Sequence, residues 1–185
     1  TIFVHGGTGG VGAMVLQMAK RCGATVITTA GNEEKADRCR ELGADIVINY
    51  NTEAELEAIL AAAPDGVDVF WETLREPNME GIISVMKEYG RIIIMAGRDA
   101  RPEFPVGPFY VKCLKLMGFV MFKANDEDLQ KCAEDINQWL SDGSLKANIS
   151  QVLPMSEAAT AHQIQEDSTL NQSGATAGKI VLIPS

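Results

Sequence analysis

Five glycines fall between Gly6 and Gly12 in the stretch IFVHGGTGGVGA, where one apolar run gives way to another. No other segment restricts the fold as strongly. Gly7-x-Gly9-x-x-Gly12 stands between a predicted strand and a predicted helix. In that setting the first glycine permits a tight turn, the second lets backbone approach a pyrophosphate, and the third lets helix and strand pack closely. The helix that follows offers unpaired N–H groups and the positive end of its dipole to phosphate oxygens.

The same residues also read Gly6-x-x-x-Gly10-x-Gly12, the spacing of short-chain dehydrogenases. That class needs a Tyr-x-x-x-Lys pair, and Tyr50, Tyr89 and Tyr110 are followed four residues on by Ala54, Ile93 and Leu114. No Gly-Lys-Ser/Thr follows the loop, which excludes a P-loop.

Apolar runs rich in Val and Ile recur after the first: Val26 to Ala30, Asp45 to Tyr50, Val67 to Thr73 and Arg91 to Gly97. Near-continuous apolar strands suit a parallel sheet covered on both faces. Amphipathic segments alternate with them: Gly10 to Arg21, Glu33 to Leu42, Glu53 to Ala63 and Asn78 to Tyr89. The alternation predicts an α/β fold, a Rossmann-type doubly wound parallel sheet of order 3-2-1-4-5-6 with helices on both faces. Arg98 to Pro108, with three prolines, reads as a loop, and Lys115 to Phe122 as a further strand. Asp126 to Leu140 reads as an acidic amphipathic helix, Ser156 to Glu166 as a helix capped by Ser156, and Lys179 to Ile183 as a final strand.

A net charge of −9 leaves no basic stripe to neutralise phosphates, so no nucleic-acid partner is expected. No apolar run approaches the roughly 20 residues that span a membrane. Cys22, Cys39, Cys113 and Cys132 form no C-x-x-C pair and have no histidine at metal-ligand spacing. They read as reduced cysteines of a cytoplasmic protein without a metal site.

The second strand decides which dinucleotide is expected. NAD readers place Asp or Glu at its end, about 20 residues after the glycines. Here it ends Thr28, Thr29, Ala30, Gly31, Asn32, without a carboxylate. Asn32 looks like an N-cap, which puts Lys35 in the first helical turn, where a cation opposes the dipole by a few tenths of a kcal/mol, roughly. A nearby anion would offset that, so Lys35 is read as a contact to the 2′-phosphate of NADP(H). Pairing with Glu33 or Glu34 is the plainer alternative, and with the strand end shifted Glu33 becomes a ribose ligand and NAD returns.

The segments HGGTGGVG, TTAGNEEKADRCRELGAD, VINY and GVDVFWET resemble the medium-chain dehydrogenase/reductase superfamily. The most similar branch is the zinc-independent, zeta-crystallin-like NADPH:quinone oxidoreductases. The resemblance spans nearly the whole chain. It implies that Gly9, Gly10, Val11 and Gly12 hold the pyrophosphate, and that Gly31, Lys35 and Tyr50 surround the 2′-phosphate. It puts Thr73 near the ribose and nicotinamide, and Gly97, Phe119 and Met121 where the family holds the nicotinamide. A core or dimer strand is an equal reading of Phe119, Met121 and Phe122. Two departures are the long turn LREPNMEG and a tail, Asn171 to Ala177, without a basic residue.

The resemblance further implies a dinucleotide-binding domain over residues 1–150 and a segment, 151–185, that returns toward a GroES-like catalytic domain. That domain would precede Thr1, so the chain looks like an excised, inactive part of a reductase. The intact enzyme would pass hydride from NADPH to a quinone, an enal or an enone. A zinc-type alcohol dehydrogenase, an enoyl reductase and a non-enzymatic NADPH-binding module stay open. A homodimer is expected through Lys115 to Phe122. No catalytic residue stands out: His5 reads as a satisfied histidine near the loop, and His162 as surface or packing.

Overall fold

The computed structural model describes residues 1–170 and 176–184. The chain runs β1 (Ile2–Val4), α1 (Gly12–Arg21), β2 (Val26–Ala30), α2 (Glu33–Glu41), β3 (Ile46–Asn49), α3 (Glu55–Ala62) and β4 (Val67–Glu72). It continues with α4 (Met79–Ser84), β5 (Met86–Ile94), α5 (Val106–Val111), β6 (Lys115–Gly118), α6 (Asp126–Ser141), β7 (Ile149–Pro154), α7 (Ala158–Thr169) and β8 (Lys179–Ile183). Six strands form one parallel sheet in the order β3-β2-β1-β4-β5-β6, as expected.

Side-chain alternation along the strands builds two cores. Ile2, Val4 and Val26 face one way and pack with Leu16 of α1 and Ala36 and Cys39 of α2. Phe3, Ile27 and Phe70 face the other way and pack with Ile59 of α3 and Met79, Ile82 and Ile83 of α4. Both faces of the central strands are therefore dry, and each fully buried Phe or Ile contributes about 1.5–3 kcal/mol.

Several expected boundaries move. The helix expected over Asn78 to Tyr89 stops at Ser84, and β5 begins at Met86 rather than at Arg91. Val85 and Met86 are buried, so their apolar character reflects the core rather than a continuing helix. What ends the helix is Lys112: its ammonium donates to the carbonyls of Ile83, Ser84 and Met86 at 2.9, 2.9 and 2.8 Å. Tyr89 then takes a left-handed conformation, φ 62°, and donates its N–H to the Lys112 carbonyl. The last residues of the expected proline loop, from Val106, form α5.

The strand expected over Lys115 to Phe122 is paired only as far as Gly118, and Met121–Lys123 is a 3-10 turn. Ser156 lies in another 3-10 turn, Met155–Glu157, and α7 starts without a side-chain cap. The strand β7 was not expected; its polar Ser150 and Gln151 interrupt any apolar run. It pairs in parallel with β8 as a separate two-stranded sheet.

Replacing Lys112 with methionine keeps the length of the side chain and removes three charge-assisted hydrogen bonds. Lys112→Met is expected to lower unfolding stability by about 2 kcal/mol, seen as a lower urea midpoint with an unchanged slope. An unchanged midpoint would show that water replaces the ammonium without loss.

Candidate functional site

The carboxyl end of β1 leads into a loop whose backbone is drawn tight. Gly9 donates to the Gly6 carbonyl at 2.9 Å, and Gly6 and Gly7 donate to the side chain and carbonyl of Thr29 at 3.1 and 3.3 Å. The turn itself is made by Gly6, φ 67°, not by Gly7. Gly7 serves packing instead: a β-carbon there would collide with Thr28 and with Cys39 Sγ. At residue 12 a β-carbon would overlap the Gly6 carbonyl, which is the close approach expected of the third glycine.

The helix start beyond this loop is bare. Its N-cap, Val11, makes no side-chain cap hydrogen bond, and no acidic residue lies in the first turn of α1. Free N–H groups at the positive end of a ten-residue helix form an anion seat. Gly9, Gly10, Val11 and Gly12 are all in this loop or at the helix start, at the point where β1 has β2 on one side and β4 on the other. Such a switch point is where doubly wound sheets open a crevice.

Two further groups flank it. Beyond β2, Gly31 lies against the Tyr50 phenol so closely that a β-carbon would overlap it, and Asn51 donates to the Gly31 carbonyl at 2.7 Å. Asn32 caps α2 by accepting from the Lys35 N–H at 2.9 Å, which puts Lys35 in the first turn as expected. Glu33 turns to Arg40 at 2.6 Å, and among the described residues no carboxylate pairs with the Lys35 ammonium. This corner has a half-buried free cation, a phenol and no acid on the strand end, a donor set that fits a phosphate.

On the other side, the Thr73 hydroxyl follows β4 and donates to the His5 carbonyl at 3.1 Å. Gly97, φ 78°, lies against the Arg75 carbonyl. Phe119 stacks edge-on against Trp71 at 6.3 Å between ring centroids, and lines a cavity of about 740 Å³ with Met95, Ala96 and Val120. Met121 lies outside that cavity, exposed in the 3-10 turn. The structure thus gathers Gly9 and Gly10 with Thr73 around one cavity and brings Gly31 to Tyr50, while Gly97 and Phe119 line separate cavities and Met121 lines neither of the two.

Beneath the loop is a cluster that the sequence reading assigned only in part. His5 is buried, with Nδ1 2.9 Å from Glu72 and Nε2 2.9 Å from Glu55. Phe3 and His5, and likewise Phe70 and Glu72, alternate onto the same sheet face, a period-2 signal that could have paired them. Burial alone would lower the His5 pKa; the hydrogen bonds its ring donates to Glu55 and Glu72, together with their charges, outweigh it and raise it from 6.5 to about 9. The cation so stabilised ties β1, β4 and α3 together. Burial pushes the Cys39 thiol up to about 11, so it is inert.

Residues 10–138 match the family described as zinc-binding dehydrogenase. Rat (Rattus norvegicus) prostaglandin reductase 1 is 32% identical over 154 residues, 79% of this chain and 47% of the relative. Lama guanicoe quinone oxidoreductase is 29% identical over 184 residues, 99% of this chain and 54% of the relative. The crystal structure of an NAD-dependent alcohol dehydrogenase superposes with a TM-score of 0.81 at 30% identity, covering 98% of this chain and 50% of that one. The chain spans about half the length of the curated relatives it matches.

Because its folded pKa is raised above the unfolded 6.5, His5 contributes stability that is complete below pH 6.5 and is lost as the pH climbs through about 9. The amount is on the order of 3 kcal/mol. Denaturant melts from pH 6.5 to 9.5 should show this decline in the wild type and a flat profile in His5→Gln. An equally steep decline in the variant would assign the loss to other groups.

Proposed function

We propose that this chain, which belongs to the zinc-binding dehydrogenase family of the medium-chain dehydrogenase/reductase superfamily, is the NADPH-binding half of an oxidoreductase acting on a quinone or an α,β-unsaturated carbonyl. The observation that carries the cofactor choice is the corner beyond β2: Lys35 without a carboxylate partner among the described residues, Tyr50 over Gly31, and Glu33 held by Arg40 instead of aimed at a ribose. A 2′-phosphate is an anion that this corner neutralises, and Lys35 and Tyr50 are the residues that would hold it. The names of the two curated relatives, a prostaglandin reductase and a quinone oxidoreductase, support the reductase reading. The NAD-dependent alcohol dehydrogenase among the similar structures supports the competing one, in which NAD is the cofactor.

When bound, the dinucleotide supplies the hydride. The chain's own part is to hold it. Gly10, Val11 and Gly12 present backbone N–H groups to the pyrophosphate, and Gly9, whose own N–H is engaged by the Gly6 carbonyl, keeps a side chain out of the way. Thr73, its hydroxyl anchored on His5, borders the ribose next to the nicotinamide. Phe119 offers the nicotinamide an apolar wall; Gly97 lines a separate cavity with Arg75 and Asp99, and Met121 falls outside the cavity that Phe119 lines. None of these groups is a general acid, so proton delivery belongs to a second domain, and the isolated chain binds cofactor without turnover. Residues 1–150 form the binding domain on this reading, and 151–185 lead back toward that partner domain. No helix among the described residues is long and apolar enough to cross a membrane, and the four free cysteines suit the cytoplasm.

The edge strand β6 exposes Leu116 and Met117, and Phe122 beyond it is 86% exposed. An apolar open edge favours pairing with a second copy, through Lys115 to Phe122. Gel filtration with light scattering is expected to give a dimer; a monomer at tens of micromolar, roughly, would reject it.

Titration with NADPH and NADH at fixed salt tests the cofactor assignment. The wild type should prefer NADPH, and Lys35→Ala should lose about 10- to 100-fold in NADPH affinity while NADH binding holds. Equal affinities in the wild type would return the NAD reading.

A further inference from the structure

Asn148 is a buried polar side chain that the dinucleotide reading leaves unused. Its oxygen accepts from Arg38 Nε at 2.9 Å, and its nitrogen donates to the Thr8 and Ala177 carbonyls, both at 3.1 Å. A guanidinium only donates and a carbonyl only accepts, so the three neighbours dictate which end of the amide is which. A carboxylate or a hydroxyl in its place could not supply one acceptor beside two donors. Ala177 leads into β8; of the tail before it, residues 171–175 lie outside the described residues.

Thr8 belongs to the glycine loop, 140 residues away along the chain. Its carbonyl is gripped by Asn148. The N–H at the other end of the same peptide unit, that of Gly9, donates to the Gly6 carbonyl at 2.9 Å. The Thr8–Gly9 peptide is therefore held from both sides. Glycine accepts φ of either sign, so a peptide plane beside Gly9 and Gly10 turns over at little steric cost unless something holds it. A reversed plane would aim the Thr8 oxygen at the Gly6 carbonyl and redirect the N–H groups that follow.

The segment that carries Asn148 is anchored a second time, on α1. The buried Gln17 side chain accepts from the Lys146 N–H at 2.8 Å and donates to the Lys146 carbonyl at 3.1 Å and the Ala13 carbonyl at 2.9 Å. Two buried amides thus hold the chain just before β7, and of the two it is Asn148 that bonds the glycine loop.

We propose that Asn148 is a positioning residue for the phosphate loop: by pinning the Thr8–Gly9 peptide it keeps the Gly10, Val11 and Gly12 N–H groups aimed before a dinucleotide arrives. The role presupposes the dinucleotide reading above and acts through the loop, without contact between Asn148 and the ligand. A loop ordered in advance loses less freedom on binding, and the difference appears as affinity.

Adenosine 2′-monophosphate separates this role from plain support of the fold, because it carries a 2′-phosphate for the Lys35 corner and has no pyrophosphate. Asn148→Ala is expected to weaken NADPH and NADH equally, about tenfold, and to leave the affinity for adenosine 2′-monophosphate within about twofold. Gln17→Met, which loosens the same segment without touching the loop, should lower the melting temperature and leave all three affinities in place. Should Asn148→Ala fail to fold, Asn148→Asp decides: it keeps the shape and the Arg38 pairing and loses both donated hydrogen bonds. Compared with the wild type at about 1 M salt, where the added charge is screened beyond roughly 3 Å, it should show the same equal loss. Unchanged dinucleotide binding by a folded Asn148 variant overturns the positioning role and leaves the dinucleotide reading intact, as does a loss confined to NADPH. A parallel loss of all three ligands, or an equal loss in Gln17→Met, also overturns it and reduces Asn148 to a brace of the C-terminal strands. A wild type that binds neither dinucleotide overturns both.

Discussion

No side chain fits at residue 12. The Gly6 carbonyl occupies the space that a β-carbon would need, and α1 can only approach β1 this closely because the space is empty. The position of α1 follows from this contact, and with it the bare helix start, the backbone surface of Gly9 and Gly10, and the crevice at the reversal of strand order. Gly7 repeats the logic one layer down, letting Thr28 and Cys39 close under the loop. The crevice is thus defined by what is missing from Gly7 and Gly12, and only then by groups that offer charge.

Charge is arranged in layers around that seat. The His5 cation with its two glutamates is buried and tied to the strands, so it acts on the shape of the crevice floor and not on a ligand. Among the described residues Lys35, beyond β2, and Lys179, on β8, stand at the rim without carboxylate partners. The remaining basic residues of α1 and α2 are engaged elsewhere: Lys20 with Asp45, Arg21 with Asp142 and Ser144, Arg38 with Glu41 and Arg40 with Glu33 and Asp37. Pairing along α1 and α2 thus leaves Lys35 as their cation without a carboxylate partner among the described residues.

Legibility in the sequence followed separation along the chain. The glycine loop, the Asn32 cap and the placement of Lys35 are local patterns within a few residues of each other, and they were readable. So was the sheet order, because five apolar runs alternate with helical ones. The site's long-range partners were not: His5 meets Glu55 and Glu72 across 50 and 67 residues, and Thr8 meets Asn148 across 140. Nothing periodic marks such pairs except strand parity, which would have coupled His5 to Glu72. The misplaced end of α4 has a similar origin, since the ammonium that stops it comes from Lys112, almost thirty residues later. Strand β7, half-exposed and interrupted by polar residues, has no sequence signature of its own and exists because β8 lies beside it.

Cys39 turns this packing into a chronometer. Its sulfur touches the backbone under the phosphate loop, is sealed from water, and ionises only near pH 11. Cys22, Cys113 and Cys132 are exposed, so an alkylating reagent reaches them without any opening of the fold. The slow fourth modification then counts the openings of α2 away from the loop, one by one, and an occupied crevice, by holding that helix down, lengthens the interval between them.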